Sequence, residues 1–199
     1  MRRPVVIIFA RAPRLGAVKR RLAAGIGARG ALRFYRAMLA ATAWPIARDR
    51  RWHTILAITP GGARADWGRL APPGTPRMPQ ASGDLGRRME KALAPFPRAI
   101  LIGSDIPGLG PADIAAGFCA LGQADAVFGP ALDGGYWLVG FGPRRPQRPF
   151  AKVRWSGPHA LADTMANFRN HRVALLPPKR DLDSAEDLAA LGISHQLRP

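Results

Sequence analysis

Four apolar runs of strand length, "VVIIFA" (5–10), "ILAIT" (55–59), "AILIG" (99–103) and "DAVFG" (125–129), are continuous rather than alternating. A strand wetted on one face alternates apolar with polar residues, so continuous runs mark strands covered on both faces. Such cover needs helices above and below, and the intervening stretches supply them. In 29–44, Leu32, Tyr35, Met38, Leu39 and Thr42 follow the i, i+3, i+4 rule, and 84–94, 111–121, 157–169 and 184–191 also read as helices. Pro111 with Asp113 opens one helix, and Ser184 with Asp187 resembles a capping box with Asp in the Glu position. "YWLVGF" (136–141) and "VALL" (173–176) add two strands. Strands alternating with helices predict an α/β sandwich around a mostly parallel sheet. The short link between 125–129 and 136–141 demands an antiparallel pair, so the sheet is expected to be mixed. The Gly/Pro-rich stretches 71–79 and 142–149 read as loops, there is no internal repeat, and residues 1–199 read as a single domain.

Composition narrows the class. Hydrophobic residues make up 47% of the chain, which fits a globular protein, and no apolar run approaches the roughly 18 residues of a membrane span. "MRRPVVIIFARAP" has a short apolar run broken at Arg11, so it reads as a first strand rather than a signal peptide, and a cytoplasmic location is expected. The one cysteine, Cys119, excludes an internal disulfide, and its neighbours in "DIAAGFCAL" predict a buried, inert thiol. The net charge of +17 favours anionic partners. Arginine supplies 26 of the 30 basic residues, scattered along the chain, with no zinc-finger spacing, RNP-like aromatic run or basic-region heptad. A non-specific nucleic-acid binder is therefore a third-ranked reading; no specific nucleic acid and no membrane are expected as partners.

Ligands of open α/β sheets bind beyond the carboxyl ends of the strands. After the first strand comes "ARAPRLGAVKRRL", a loop with Gly16 and a helix start carrying Lys19, Arg20 and Arg21. Backbone N–H groups of such a loop and helix start suit phosphates, although neither the Walker A nor the GxGxxG spacing is present. In "GDLGRRME", Gly83 and Asp84 stand at a helix start, where Asp84 also fits an N-cap. After "AILIG" comes "SDIPGLGP", with Asp105 placed to hold Mg²⁺ against nucleotide phosphates. "GPALDGGYWLVG" carries Asp133, Gly134 and Gly135 in a turn signal between two strands, and "RDLDSAEDL" carries Asp181 and Asp183. Tyr136 and Trp137 alternate, so one is expected to face the core and the other the cleft or a helix. Five acids at such junctions, from only 13, suggest a divalent-cation site; Mg²⁺ takes one or two carboxylates, so some of the five are caps.

"FARAPRLGAVKRRLAAGIG", "GDLGRRM", "GSDIPGL", "GPALDGGYWLVG", "VRWSG" and "DLDSAEDL" together resemble a family of bacterial glycosyltransferase-A-like proteins associated with radical-SAM and selenodomain proteins. That family is similar to 2-phospho-L-lactate guanylyltransferase and, more distantly, to the molybdenum-cofactor guanylyltransferases. The resemblance spans nearly the whole chain. It implies a GT-A fold, a three-layer α/β/α sandwich that binds a nucleotide or nucleotide sugar, a small-molecule acceptor and Mg²⁺ or Mn²⁺. By that resemblance Gly16 and Lys19 lie under the phosphates and Asp105 is the metal-binding acid. Asp133, Gly134 and Gly135 border the acceptor, and Asp183 is a second metal contact. Three positions depart from the family: Arg11 stands for a lysine, Arg20 for a threonine, and Gly157 for a threonine after Trp155-Ser156. An arginine still grips phosphate but reproduces neither a lysine point charge nor a hydroxyl. The expected function is a metal-dependent nucleotidyl- or glycosyltransferase, in which Lys19, Asp105 and Asp133 carry the chemistry and Arg11, Gly16, Gly83, Asp84, Gly134 and Gly135 the nucleotide site. The alternative is a non-catalytic nucleotide-binding or regulatory module of the same fold.

Overall fold

The computed structural model describes residues 3–61 and 67–180. Its elements are β1 (Val5–Arg11), α1 (Arg20–Arg48), β2 (His53–Thr59), β3 (Arg77–Pro79), α2 (Leu85–Leu93), β4 (Ala99–Ile102), α3 (Pro111–Ala120), β5 (Ala126–Pro130), β6 (Tyr136–Phe141), α4 (Ala160–Ala166) and β7 (Val173–Leu175). The strands form one sheet in the order β3-β2-β1-β4-β6-β5-β7. All run parallel except β6, which is antiparallel to both β4 and β5. The mixed α/β/α architecture expected from the sequence is thus present.

The continuous apolar runs divide between two layers, as the period of a strand requires. On β1, Val6, Ile8 and Ala10 pack with Tyr35, Leu39 and Ile46 of α1 and with Ile114 and Phe118 of α3. Val5 and Ile7 pack on the other face with Met89 and Leu93 of α2 and Ala160 of α4. Each such aliphatic or aromatic side chain contributes about 1.5–3 kcal/mol by leaving water. Tyr136 and Trp137 obey the same alternation: Trp137 is buried in the α1/α3 layer, and Tyr136 packs in the α2/α4 layer against Phe128. The indole of Trp137 lies over Gly129, where an added Cβ would fall 2.3 Å from the ring.

Three expectations are corrected. The stretch 71–79, read as loop, ends in β3, which pairs parallel to β2 at Leu56–Ile58. Only an edge strand tolerates Pro79, whose nitrogen cannot donate to a ladder. Cys119 is exposed: α3 buries Ile114, Gly117 and Phe118, and the next residue turns about 100° away toward solvent. The expected 157–169 helix is confined to α4, one short element of Ala160–Ala166. The helix read over 184–191, with Asp181 and Asp183, lies outside the described residues. Among the described residues no helix is long and apolar enough to cross a membrane.

Candidate functional site

The carboxyl ends of β1, β2, β4 and β5 and the amino end of β6 share one edge of the sheet, and the strand order turns back between β1 and β4. Loops leaving neighbouring strands in opposite directions open a crevice there. The β1–α1 loop turns at Gly16 (φ +73°) and ends on Lys19, which has left-handed backbone (φ 47°, ψ 52°) and caps α1. The Lys19 side chain is only 6% exposed, and its Nζ lies 3.1 Å from Oδ1 of Asp105, whose side chain is 43% exposed. Asp105 follows β4 directly. Its Oδ1 is buried without a conventional hydrogen bond, so the ammonium is the charge that compensates it.

A cleft of about 360 Å³ opens beside this pair. Tyr35, reaching up from α1, accepts the Arg11 N–H (2.7 Å) and donates to the Arg11 carbonyl (2.9 Å), which clamps the end of β1. Burial pushes the Tyr35 phenol up to about 12; a hydrogen bond from the side chain of buried Ser104 pulls the other way, and the Asp105 charge adds to the rise. Tyr35 therefore remains a neutral clamp. Gln80 ties β1 to β2, donating from Nε2 to the Ala57 carbonyl (2.7 Å) and the Ala10 carbonyl (3.4 Å), and its Oε1 accepts from Arg88. Burial, and then the charge of Arg11, hold the Arg88 guanidinium below its ordinary value. Among the described residues, Arg11, Lys19, Arg20, Arg21 and Arg88 all line this cleft, against the single acid Asp105. Like charges gathered at partial desolvation favour a polyanion.

A second cleft of about 330 Å³ shares Asp105 with the first. Its far wall is the β5–β6 hairpin. Gly134 N–H donates to the Ala131 carbonyl (3.1 Å), Ala131 N–H to the Gly135 carbonyl (3.0 Å), and Gly134 stands at φ +86°. This is a three-residue loop with its left-handed position filled by glycine, rather than a two-residue turn. Asp133 Oδ1 accepts the Gly135 N–H at 2.8 Å. A Cβ on Gly134 would fall 2.3 Å from the Pro158 carbonyl oxygen, and the Gly134 carbonyl accepts the Leu161 N–H (3.0 Å). The hairpin tip is thereby locked to the segment before α4. That segment carries Trp155, edge-on to Tyr136 with ring centroids 6.5 Å apart. Arg154 anchors it through a paired contact with Asp163 (2.9 Å), whose carboxyl it holds down to about 2.

The structure brings Arg11, Lys19 and Asp105 to the first cleft, and Asp105, Asp133 and Gly135 to the second. Gly16 shapes the approach to the first, and Gly134 positions the wall of the second. Gly83 and Asp84 line neither cleft; Asp84 caps α2, accepting the Arg87 N–H at 2.8 Å. Asp183 lies outside the described residues. Tyr35, Gln80, Ser104 and Arg88 line the first cleft and were not singled out from sequence. The signal was present for two of them: Tyr35 is a hydroxyl on a core-facing helix stripe, and Arg88 belongs to "GDLGRRM". Among the described residues no group of three or more His, Cys, Asp or Glu side chains gathers as a metal cage. Asp105 nonetheless fits a hard divalent cation of the kind that takes one carboxylate and completes its shell with waters and phosphate oxygens.

The mixed, mostly parallel seven-stranded α/β fold is that of GT-A-like nucleotide-diphospho-sugar transferases. Residues 42–157 match the family described as "Uncharacterized protein conserved in bacteria (DUF2064)", and the chain belongs to that family. It is similar to a protein from Desulfovibrio desulfuricans G20 described as a nucleotide-diphospho-sugar transferase, with TM-score 0.84 and 29% identity over 96% of this chain and 87% of that one. It shares its fold with the 4-diphosphocytidyl-2C-methyl-D-erythritol synthase of Anaerococcus prevotii (TM-score 0.60, 12% identity, 99% of each chain). The same holds for a cytidylyltransferase from Leptospira borgpetersenii (TM-score 0.58, 12% identity, 96% of this chain and 85% of that one). No curated protein matches the chain.

Proposed function

We propose that this chain is a nucleotide-dependent transferase, moving a nucleotidyl or glycosyl group from a nucleoside triphosphate or nucleotide sugar to a small acceptor. The observation that carries this reading is Asp105, which stands where a cation-lined cleft meets a second, aromatic one. Two ligands held there would face each other across a single carboxylate, the arrangement that converts a bimolecular encounter into a local one. The first cleft takes the donor: Lys19, Arg11 and Arg88, with Arg20 and Arg21 at the amino end of α1, hold its phosphates and neutralise the charge that builds on the leaving group. Asp133, on the acceptor side, orients the attacking group and accepts its proton. Mg²⁺ or Mn²⁺ fits at Asp105, with Asp183 the second candidate ligand, and would supply Lewis-acid stabilisation of the departing phosphate. Likeness to the nucleotide-diphospho-sugar transferase of Desulfovibrio desulfuricans supports the donor class. The single-domain reading of 1–199 and a cytoplasmic location belong to the same proposal, as does the finer likeness to 2-phospho-L-lactate guanylyltransferase, which is carried over for the fold and the nucleotide side and not for that enzyme's anionic acceptor.

A second reading, a nucleotide-binding module without turnover, draws on Gly157, which lines the acceptor cleft without the hydroxyl carried by the resembling family. One screen separates the two. Nucleotides and nucleotide sugars are assayed for thermal stabilisation with and without Mg²⁺ or Mn²⁺, then for release of pyrophosphate or nucleoside diphosphate. A donor at 100 times its dissociation constant adds about 2.7 kcal/mol of stability. Stabilisation with turnover is the expected result, stabilisation without it selects the module, and no stabilisation by any donor removes both.

A further inference from the structure

We infer that the acceptor carries neither phosphate nor carboxylate: the second cleft selects a neutral or cationic molecule that offers a hydroxyl or amine and a face able to stack on an aromatic ring. The inference rests on the transferase reading and specifies its acceptor. It comes from a segregation of charge between the two clefts. Among the described residues, five cationic side chains line the first, whereas the lining of the second holds Asp105 and Asp133 and no Lys, Arg or His. Lys19 reaches the shared Asp105 from the side of the first cleft, and two further cations near the second cleft are engaged elsewhere. Lys179, whose backbone bridges to Ala131 at the hairpin, has its Nζ 2.9 Å from Asp113 Oδ1 and lies over the Trp137 ring; Arg154 is paired with Asp163.

The rest of the lining fits the same class. Asp133 spends Oδ1 on the Gly135 N–H, which fixes the carboxylate and leaves Oδ2 to accept from a ligand hydroxyl or ammonium. Trp155 and Tyr136, set edge to face and backed by Phe150, form a rigid aromatic wall, with Leu85 and Ile106 adding apolar surface. An aromatic face against a fixed acceptor oxygen suits a ring bearing hydroxyls or an amine. An anionic acceptor would meet Asp133 on one side and the donor phosphates on the other, whose charge a single divalent cation at Asp105 would offset only in part. Like charges at contact distance are worth about fivefold in affinity even in a water-like medium.

The test uses the full chain and two matched sets of probes: glucose, glucosamine and glucose 6-phosphate, and benzyl alcohol, benzylamine and benzoate. Each is titrated by tryptophan fluorescence, which Trp137 and Trp155 at the cleft should report, with and without the nucleotide that stabilises the protein most. The neutral and amine members should bind, with the anionic member weaker by about fivefold or more. In Asp133→Asn, whose amide oxygen can still accept the Gly135 N–H, the anionic member should gain on the neutral one and the amine should lose. Anionic probes binding as tightly as their neutral partners, or no binding by any neutral or amine probe, overturns the inference. Failure of every nucleotide to bind sinks the transferase reading instead, and the order of the probes is still read from the nucleotide-free titrations.

Discussion

Lys19 Nζ and Asp105 Oδ1 lie 3.1 Å apart, with the ammonium almost wholly buried and the aspartate open to the clefts on its other side. The pair joins the β1–α1 loop to the end of β4, so it holds the two sides of the crevice, with the carboxylate facing the clefts and the ammonium at their edge. The two charges have separable duties in the proposed site. Lys19→Met should weaken nucleotide binding about 10- to 100-fold, the size of a lost charge-assisted contact, with or without metal. Asp105→Asn keeps the side-chain volume and loses the charge a hard cation needs, so nucleotide should still stabilise the variant but added Mg²⁺ should contribute nothing. Calorimetric titration of both variants checks this; a full metal response in Asp105→Asn would move the cation elsewhere.

Tyr35→Phe removes the hydroxyl that both accepts from and donates to the backbone of Arg11. The expected cost is about 1 kcal/mol, because a partly buried N–H and carbonyl lose their partner. The pH dependence has a definite sign. The phenol titrates at 10.0 in the unfolded chain and is pushed up to about 12 in the fold, so its stabilising share is whole below pH 10 and is lost as the pH rises toward 12. Denaturant unfolding of wild type and variant across that window should show their difference shrinking with rising pH.

Gly134→Ala meets two obstacles at once, a φ of +86° and the Pro158 carbonyl 2.3 Å from the new Cβ. Destabilisation of about 2 kcal/mol or more is expected, since either the turn or the segment before α4 must move. A variant as stable as wild type would show that the hairpin is not locked as described.

Asp163→Asn probes the anchor of the Trp155 segment. Arg154 holds the Asp163 carboxyl down to about 2 from an ordinary 3.8, so the pair stabilises the fold above pH 3.8 and ceases to do so as the pH falls through 2. Melting temperatures of wild type and variant should differ by a constant amount at neutral pH and converge on acidification below 3.8.

Much of this architecture could be read from local pattern. The runs at Val5, Ile55, Ala99 and Ala126 announce buried strands by lacking alternation, and the short link before Tyr136 forces one strand to reverse. Asp105 was legible because a strand ended just before it. What local pattern could not carry is contact across long separations. Tyr35 meets Arg11 across 24 positions and Gln80 meets Ala10 across 70, and neither residue has a neighbour in sequence that betrays the pairing. The edge strand β3 carries no strand signal in sequence because its three residues include a proline and pair on one side alone. Cys119 departs from its expected burial because a hydrophobic neighbourhood in sequence is spread around a helix in space, and one face of α3 is wet.

The lock between Gly134 and Pro158 bears on how such a protein could acquire a new acceptor. The proposed donor cleft is built from the β1–α1 loop, Gln80, α2 and the end of β4, whereas the proposed acceptor wall comes from the hairpin tip and the stretch bearing Trp155. Since the tip admits no side chain where it touches Pro158, neither segment can be exchanged alone without a collision. They are expected to travel as a cassette, diverging together between relatives while the donor half is inherited unchanged. Retargeting the proposed site by design would follow the same route, with both segments grafted in one step and Leu132, 60% exposed at the hairpin tip, as the most permissive point of entry.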